Sequence, residues 1–337
     1  MRAVGYQTPA PISETASLID IDLPKPEPKG RDLLVEVKAI SVNPVDTKVR
    51  QGVRPEAGAW KVLGWDAAGR VVATGSDASL FKPGDDVFYA GALGRQGTNA
   101  ELHLVDERLV GRKPTSLGYA EAAALPLTAL TAWETLFDRL DVTKPVASAA
   151  QTILIIGGAG GVGSIAVQLA RQLTDLTVIA TASRPETRDW VLGLGAHHVI
   201  DHSKPLAAEV AALGIGVPGM VFSTTNTDRH LAEIVELIAP QGRFGLIDDP
   251  KSLDINPFKR KSVSVHWELM FTRSLFETPD MAAQGQHLNE IARLVDAGTL
   301  RTTLGEIVGP INAANLKRAH ALIETGKAKG KVVLEGF

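Results

Sequence analysis

Residues 152–170 read TILIIGGAGGVGSIAVQLA. Four apolar residues, Ile153 to Ile156, run straight into the glycine-rich stretch Gly157 to Gly163, and an alanine-rich helical pattern, Val162 to Leu173, follows at once. Gly158, Gly160 and Gly163 match G-x-G-x-x-G. That spacing alone is weak, but between a buried strand and a helix it describes a dinucleotide site. Glycine lets the backbone turn tightly and approach a pyrophosphate, and the helix start offers free N–H groups and the positive end of its dipole. The predicted contacts are Gly158, Ala159, Gly160, Gly161, Val162 and Gly163. A purely structural turn is the competing reading, and the strand–helix units that follow argue against it.

Those units run on to residue 267. Thr177 to Ala182 reads as a strand, Pro185 to Leu194 as a helix and Val199-Ile200 as a short strand; Met220 to Ser223, Arg243 to Ile247 and Ser262 to Trp267 read as three more strands. Six apolar strands with helices between them describe an α/β domain, a doubly wound parallel sheet. An acidic residue at the end of the second strand would bind the ribose hydroxyls of NAD. Here that strand ends in Ser183-Arg184, and no carboxylate appears until Glu186. Arg184, with Arg188 one turn on, suits a 2′-phosphate, which arginine pairs with and a carboxylate repels. The expected cofactor is therefore NADPH. The alternative is that both arginines are solvated charges at a helix start.

Before this domain the chain reads as β-rich. Leu33 to Val42 alternates and ends at Asn43-Pro44; Gly69 to Thr74 is another strand; the turn Pro83-Gly84-Asp85 leads into Asp86 to Ala90. This pattern suggests a partly open barrel. Tyr119 to Leu136 is helical in pattern, with Pro126 splitting it. After residue 270 come a helix (His287 to Ala297), a strand (Gly305 to Val308), a helix (Ala313 to Thr325) and a last strand (Lys331 to Leu334).

Composition narrows the function. The 337 residues carry a net charge of −3, so no basic excess is available for nucleic acid. No apolar run reaches the ~18 residues of a membrane span, and the N-terminus MRAVGYQTPA lacks signal-peptide features, so a cytoplasmic location is expected. There is no cysteine, which removes disulfides, thiol chemistry and thiolate metal sites.

The segments AISVNPVDTKVRQG (39–52), VLGWDAAGRVVATGSDASLFKPGDDVFYAG (62–91), AAALPLTALTAW (122–133), GGAGGVG (157–163) and GAHHVID (195–201) occur in an order that matches one family. The chain resembles the medium-chain dehydrogenase/reductases, and within them the zinc-free quinone oxidoreductases related to zeta-crystallin. The resemblance implies a GroES-like barrel built from both chain ends, residues 1–127 and 268–337, around an inserted Rossmann domain, 128–267. Relatives that are alcohol dehydrogenases bind zinc through a cysteine just after the strand ending here at Val42, and through the histidine of a G-H-E motif. This sequence has Asn43 and Asp46 in the first region and Gly64-Trp65-Asp66 for the second. Their four-cysteine structural site corresponds to Ala92 to Thr98, which has none. No metal is expected.

What remains is hydride transfer, for which the cofactor supplies the chemistry and the protein the position and electrostatics. By resemblance Asn43 faces nicotinamide and substrate; alternatively it caps the turn before Pro44. Asp46 reads as the N-cap of a short helix. Lys48 stands where many quinone reductases have tyrosine, and is either a partner for substrate oxygen or cofactor phosphate, or a solvated charge. Trp65 is a wall for a flat ring, or core. Thr131 resembles a residue near the nicotinamide, and His202 one near the adenosine ribose; His197 and His198 read as surface residues. The expected reaction is metal-free transfer of a hydride from NADPH to a quinone or α,β-unsaturated carbonyl. A zinc-dependent alcohol dehydrogenase and a non-enzymatic NADPH-binding protein are the alternatives. The strand Ser262 to Trp267 would present an open edge, and the resemblance implies that this edge pairs with its symmetry mate in a homodimer.

Overall fold

The computed structural model describes residues 1–147 and 149–337. It divides into two compact units, Met1–Leu130 with Phe271–Phe337, and Thr131–Met270. Along the chain the first unit contributes β1 (Arg2–Tyr6), β2 (Ile19–Asp22), β3 (Asp32–Val42), α1 (Pro44–Gly52), β4 (Lys61–Val62), β5 (Asp66–Thr74), β6 (Asp86–Tyr89), β7 (Leu102–Asp106), β8 (Val110–Arg112) and α2 (Tyr119–Ala123). The helix α3 (Pro126–Trp133) begins at the proline that ends the preceding helical stretch. The second unit follows with β9 (Ala150–Ile156), α4 (Gly161–Leu173), β10 (Thr177–Thr181), α5 (Pro185–Gly193), β11 (His198–Ile200), α6 (Leu206–Ala212), β12 (Pro218–Ser223), α7 (Thr227–Leu237), β13 (Arg243–Leu246) and β14 (Ser264–Trp267). The first unit is completed by α8 (Thr272–Leu275), α9 (Ala283–Asp296), β15 (Leu304–Gly309), α10 (Ala313–Glu324) and β16 (Lys331–Glu335).

In the second unit all six strands are parallel, in the order β11-β10-β9-β12-β13-β14. Counted within the unit this is 3-2-1-4-5-6, the Rossmann order, with its switch point beside β9. Its core joins strand residues such as Leu154, Ile179, Val221 and Phe244 to Leu206, Ile234 and Leu237 from the covering helices. Parallel strands buried on both faces read as unbroken apolar runs, which is why they were visible in the sequence.

The first unit holds a seven-stranded sheet, ordered β15-β16-β3-β5-β6-β8 with β7 also paired to β3, and a three-stranded sheet, β2-β1-β4. The long strand β3 is its hub. On one side it pairs antiparallel with β16, setting Val42 opposite Val332; on the other it pairs with β5, setting Ser41 opposite Asp66. The C-terminal strand therefore lies beside the end of β3, where the chain turns into α1.

Candidate functional site

The glycine turn in the second unit leaves β9 at Ile156. Gly157 has φ +82°, and a Cβ there would stand 2.4 Å from Thr224 Oγ1, so the position requires glycine. Gly160 is the N-cap of α4. Gly163, inside α4, sits so close to the turn that a Cβ would lie 2.2 Å from the Gly157 carbonyl oxygen and 2.7 Å from Gly158 Cα. The turn is tied to the next strand. Gly158 N–H donates to the Thr181 carbonyl (3.1 Å), and Gly157 N–H donates to Thr181 Oγ1 (2.9 Å). The same hydroxyl lies 3.2 Å from His202 Nδ1. Burial pushes the His202 imidazole down, which favours the neutral ring, whose unprotonated nitrogen can accept a hydroxyl proton. Thr181 thus joins the turn to His202, a role that the sequence reading missed. A threonine ending a β-strand carries no local signal of that kind.

Past β10, Ser183 is exposed and Arg184 is the N-terminal flanking residue of α5. Arg184 Nε pairs with Glu186 at 2.9 Å, the two side chains being 37% and 58% exposed. Arg188 is half-buried one turn on. The glycine turn, Thr181, Ser183, Arg184 and His202 are brought to the carboxyl ends of β9, β10 and β11, where doubly wound sheets bind ligands. Thr131 begins this unit; it is buried in α3, and its carbonyl accepts from Thr135 Oγ1 at 2.7 Å.

The first unit contains a buried polar cluster at the end of β3. Asp66, wholly buried, accepts from Ser41 Oγ and Asn43 Nδ2 (both 2.7 Å) and from Lys331 Nζ (3.1 Å) on one oxygen, and from Leu127 N–H (2.7 Å) on the other. The Leu127 bond places a carboxylate at the start of α3, where free N–H groups and the helix dipole favour it. Lys331 Nζ also donates to the Val42 carbonyl (3.2 Å) and to Asn43 Oδ1. Neither Asp66 nor Lys331 was singled out from sequence. They are 265 positions apart and meet only because β16 and β5 flank β3.

This cluster changes two expectations. Asn43 is buried and its amide is bonded at both ends inside the unit, so its expected role as a donor facing substrate is corrected to one of holding the cluster. Its side chain does not cap α1; instead Asp46 Oδ2 accepts the Asn43 N–H at 2.7 Å. Trp65 is core: its indole N–H donates to the Ala92 carbonyl (3.2 Å) and its ring meets Phe271 edge-on at 6.0 Å, which corrects the expected substrate wall. Lys48 is exposed on α1. Of the catalytic candidates Asn43, Lys48 and Trp65, it is the one exposed residue.

Burial pushes the Asp46 carboxyl up to about 7, and the neighbouring Asp66 adds to the rise; Lys331 and the Asn43 N–H only partly oppose it. A raised carboxyl favours the protonated fold. Its contribution to stability is intact below about pH 4 and is lost as pH rises toward 7. Over about three units this amounts to about 4 kcal/mol. The stability difference between wild type and Asp46→Asn, followed by urea unfolding, should therefore change progressively in favour of the variant from pH 4 to 7 and level off above. A flat difference would show that Asp46 is ionised in the fold throughout.

Two family models match the chain: the alcohol dehydrogenase GroES-like domain over residues 29–132 and the zinc-binding dehydrogenase model over 194–334. A Staphylococcus aureus zinc-type alcohol dehydrogenase-like protein is 40% identical over 336 residues, 99% of each chain. The chain belongs to the medium-chain dehydrogenase/reductase superfamily. It is an oxidoreductase of that superfamily, whose members bind nicotinamide cofactors. A solved Rhizobium etli structure named for the zinc-dependent alcohol dehydrogenases is 71% identical, with a TM-score of 0.98, covering 100% of this chain and 98% of that one. A spinach chloroplastic quinone-oxidoreductase homolog is 28% identical, covering 95% of this chain and 94% of its own.

The family names imply zinc, and the donors present do not fit it. Zinc takes thiolate, imidazole and carboxylate ligands, three of them from the protein at a catalytic site. The end of β3 offers the Asn43 amide, the second position is Trp65, and of the buried carboxylates Asp66 already holds an ammonium at 3.1 Å while Asp46 accepts the Asn43 N–H at 2.7 Å. A divalent ion among the same oxygens would meet that ammonium directly. Among the described residues, no three His, Cys, Asp or Glu side chains are grouped so as to hold a metal.

Proposed function

We propose that this oxidoreductase is an NADPH-dependent reductase of quinones or α,β-unsaturated carbonyls that works without a metal. The observation that carries the cofactor choice is the end of β10, where Ser183-Arg184 replaces a carboxylate beside the glycine turn. The backbone N–H groups from Gly158 to Gly163 would cradle the pyrophosphate, and Ser183, Arg184 and Arg188 the 2′-phosphate, which takes over the guanidinium from Glu186. His202 and Thr181 would hold the turn in shape beside the ribose. Thr131 is proposed to stand near the nicotinamide, which supplies the hydride when bound. Lys48, exposed on α1, is the proposed donor to oxygen on which negative charge develops. The spinach relative's name supports the quinone class. A homodimer through the edge of β14 is also proposed: among the described residues that strand pairs only with β13, and Trp267 on it is 51% exposed.

NADPH and NADH affinities of wild type and Arg184→Ala test the cofactor. NADPH binding is expected to weaken about 10- to 100-fold, the worth of charge-assisted hydrogen bonds to a phosphate, and NADH binding to stay within about twofold. Unchanged NADPH affinity would sink the phosphate assignment. Metal content after dialysis tests the rest: one zinc per chain, retained and required for turnover, favours the alcohol dehydrogenase reading of the family names.

A further inference from the structure

The polar cluster of the first unit has a cation at its centre, and the chain supplies it. Lys331 Nζ is shared by the Val42 carbonyl, the Asn43 amide oxygen and the Asp66 carboxylate, and its side chain is 3% exposed. Lysine is almost never buried unless paired, and a buried pair is tolerated only when the remaining donors and acceptors are also met. Here they are: the three ammonium hydrogens face three oxygens, and Asp66 takes two further donors on the same oxygen and the Leu127 N–H on the other. The register of β16 on β3 and of β3 on β5 delivers these groups from three distant stretches of chain.

We infer that Lys331 is a positioning residue whose ammonium stands in for a bound metal ion, neutralising Asp66 and fixing the Asn43 amide at the point where β3 becomes α1. A terminal amide can face either way, and its neighbours decide which. With Lys331 donating to Oδ1 and Nδ2 donating to Asp66, only one orientation satisfies both. α1 starts immediately after Asn43, so the same ammonium anchors the helix that carries Lys48. The inference rests on the metal-free reading above.

A double-mutant cycle of Lys331→Met and Asp66→Asn in the full chain tests it. Lys331→Met alone should shift the unfolding equilibrium by about 100-fold or more, because it leaves a buried carboxylate without its counter-charge. The double variant should recover about tenfold or more relative to additivity. Lys331→Arg, which keeps the charge, should retain more stability than Lys331→Met. In turnover with NADPH and a quinone, a positioning role predicts a fall in kcat for Lys331→Arg with the KM for NADPH within about twofold. If Lys331→Met alone does not fold while the double variant does, the coupling is equally established. An additive cycle in a zinc-free wild type overturns the role of Lys331 alone. Stoichiometric zinc in dialysed wild type overturns the metal-free reading on which it rests.

Discussion

Replacing Asp66 with alanine should cost the first unit about 3–5 kcal/mol, measured by chemical unfolding, and leave NADPH affinity nearly unchanged. The carboxylate is fully buried and receives four donors: Ser41 Oγ, Asn43 Nδ2, Lys331 Nζ and Leu127 N–H. Alanine removes every acceptor at once, and each orphaned donor costs about 1–3 kcal/mol, more where it is charged. These terms do not add in full. The four donors share one site and relax together, which limits the total. Asp66→Asn keeps the shape and one acceptor and should lose less. A loss below about 1 kcal/mol for the alanine variant would mean that the cluster does not hold the end of β3. The NADPH control separates this from global damage, because the glycine turn belongs to the other unit.

Substituting Gly163 should have the largest effect on cofactor binding. In a helix interior alanine is ordinarily better than glycine by about 1 kcal/mol. Here the new Cβ would sit 2.2 Å from the Gly157 carbonyl oxygen and 2.7 Å from Gly158 Cα, and both are backbone, which cannot swing away as a side chain can. Relief requires moving α4 off the turn by about an ångström, and misplacements of that size cost about 100-fold where backbone donors must aim at a ligand. Gly163→Ala is therefore expected to lose NADPH affinity by about 100-fold or more, and to lose stability rather than gain it. Gly160 is the control. Among the described residues a Cβ there meets only the Gly157 carbonyl oxygen, at 3.4 Å, and its backbone is extended with φ −71°. Gly160→Ala should cost under about 1 kcal/mol of stability, the usual loss for a non-capping residue at an N-cap, while still weakening NADPH if the pyrophosphate passes close. Equal affinities for wild type and Gly163→Ala would remove the turn from the binding site.

The sequence by itself determined the second unit. Its strands are buried on both faces and stand out as apolar runs, its turn demands glycine at Gly157 and Gly163 for local steric reasons, and Arg184 follows its strand within three residues. Every one of these signals lies within a short window, which is why the strands and the turn were legible together. In the first unit the long β3, the β5 and β6 strands and the helix break at Pro126 were legible on the same grounds, whereas β1, β2 and β7 were not. Only the tertiary structure decided the fate of Asn43, Trp65 and Lys331. The sequence leaves Asn43 between substrate and a turn cap and Trp65 between ring wall and core, and pairing and packing turn both inward. Lys331 looked like the first residue of a last strand, and the register of β16 on β3 makes it the centre of a buried ion cluster. The physical reason is range. A glycine's φ or a strand's apolar run is set by immediate neighbours, but the environment of a buried charge is set by groups hundreds of positions away, and no spacing in the chain announces them.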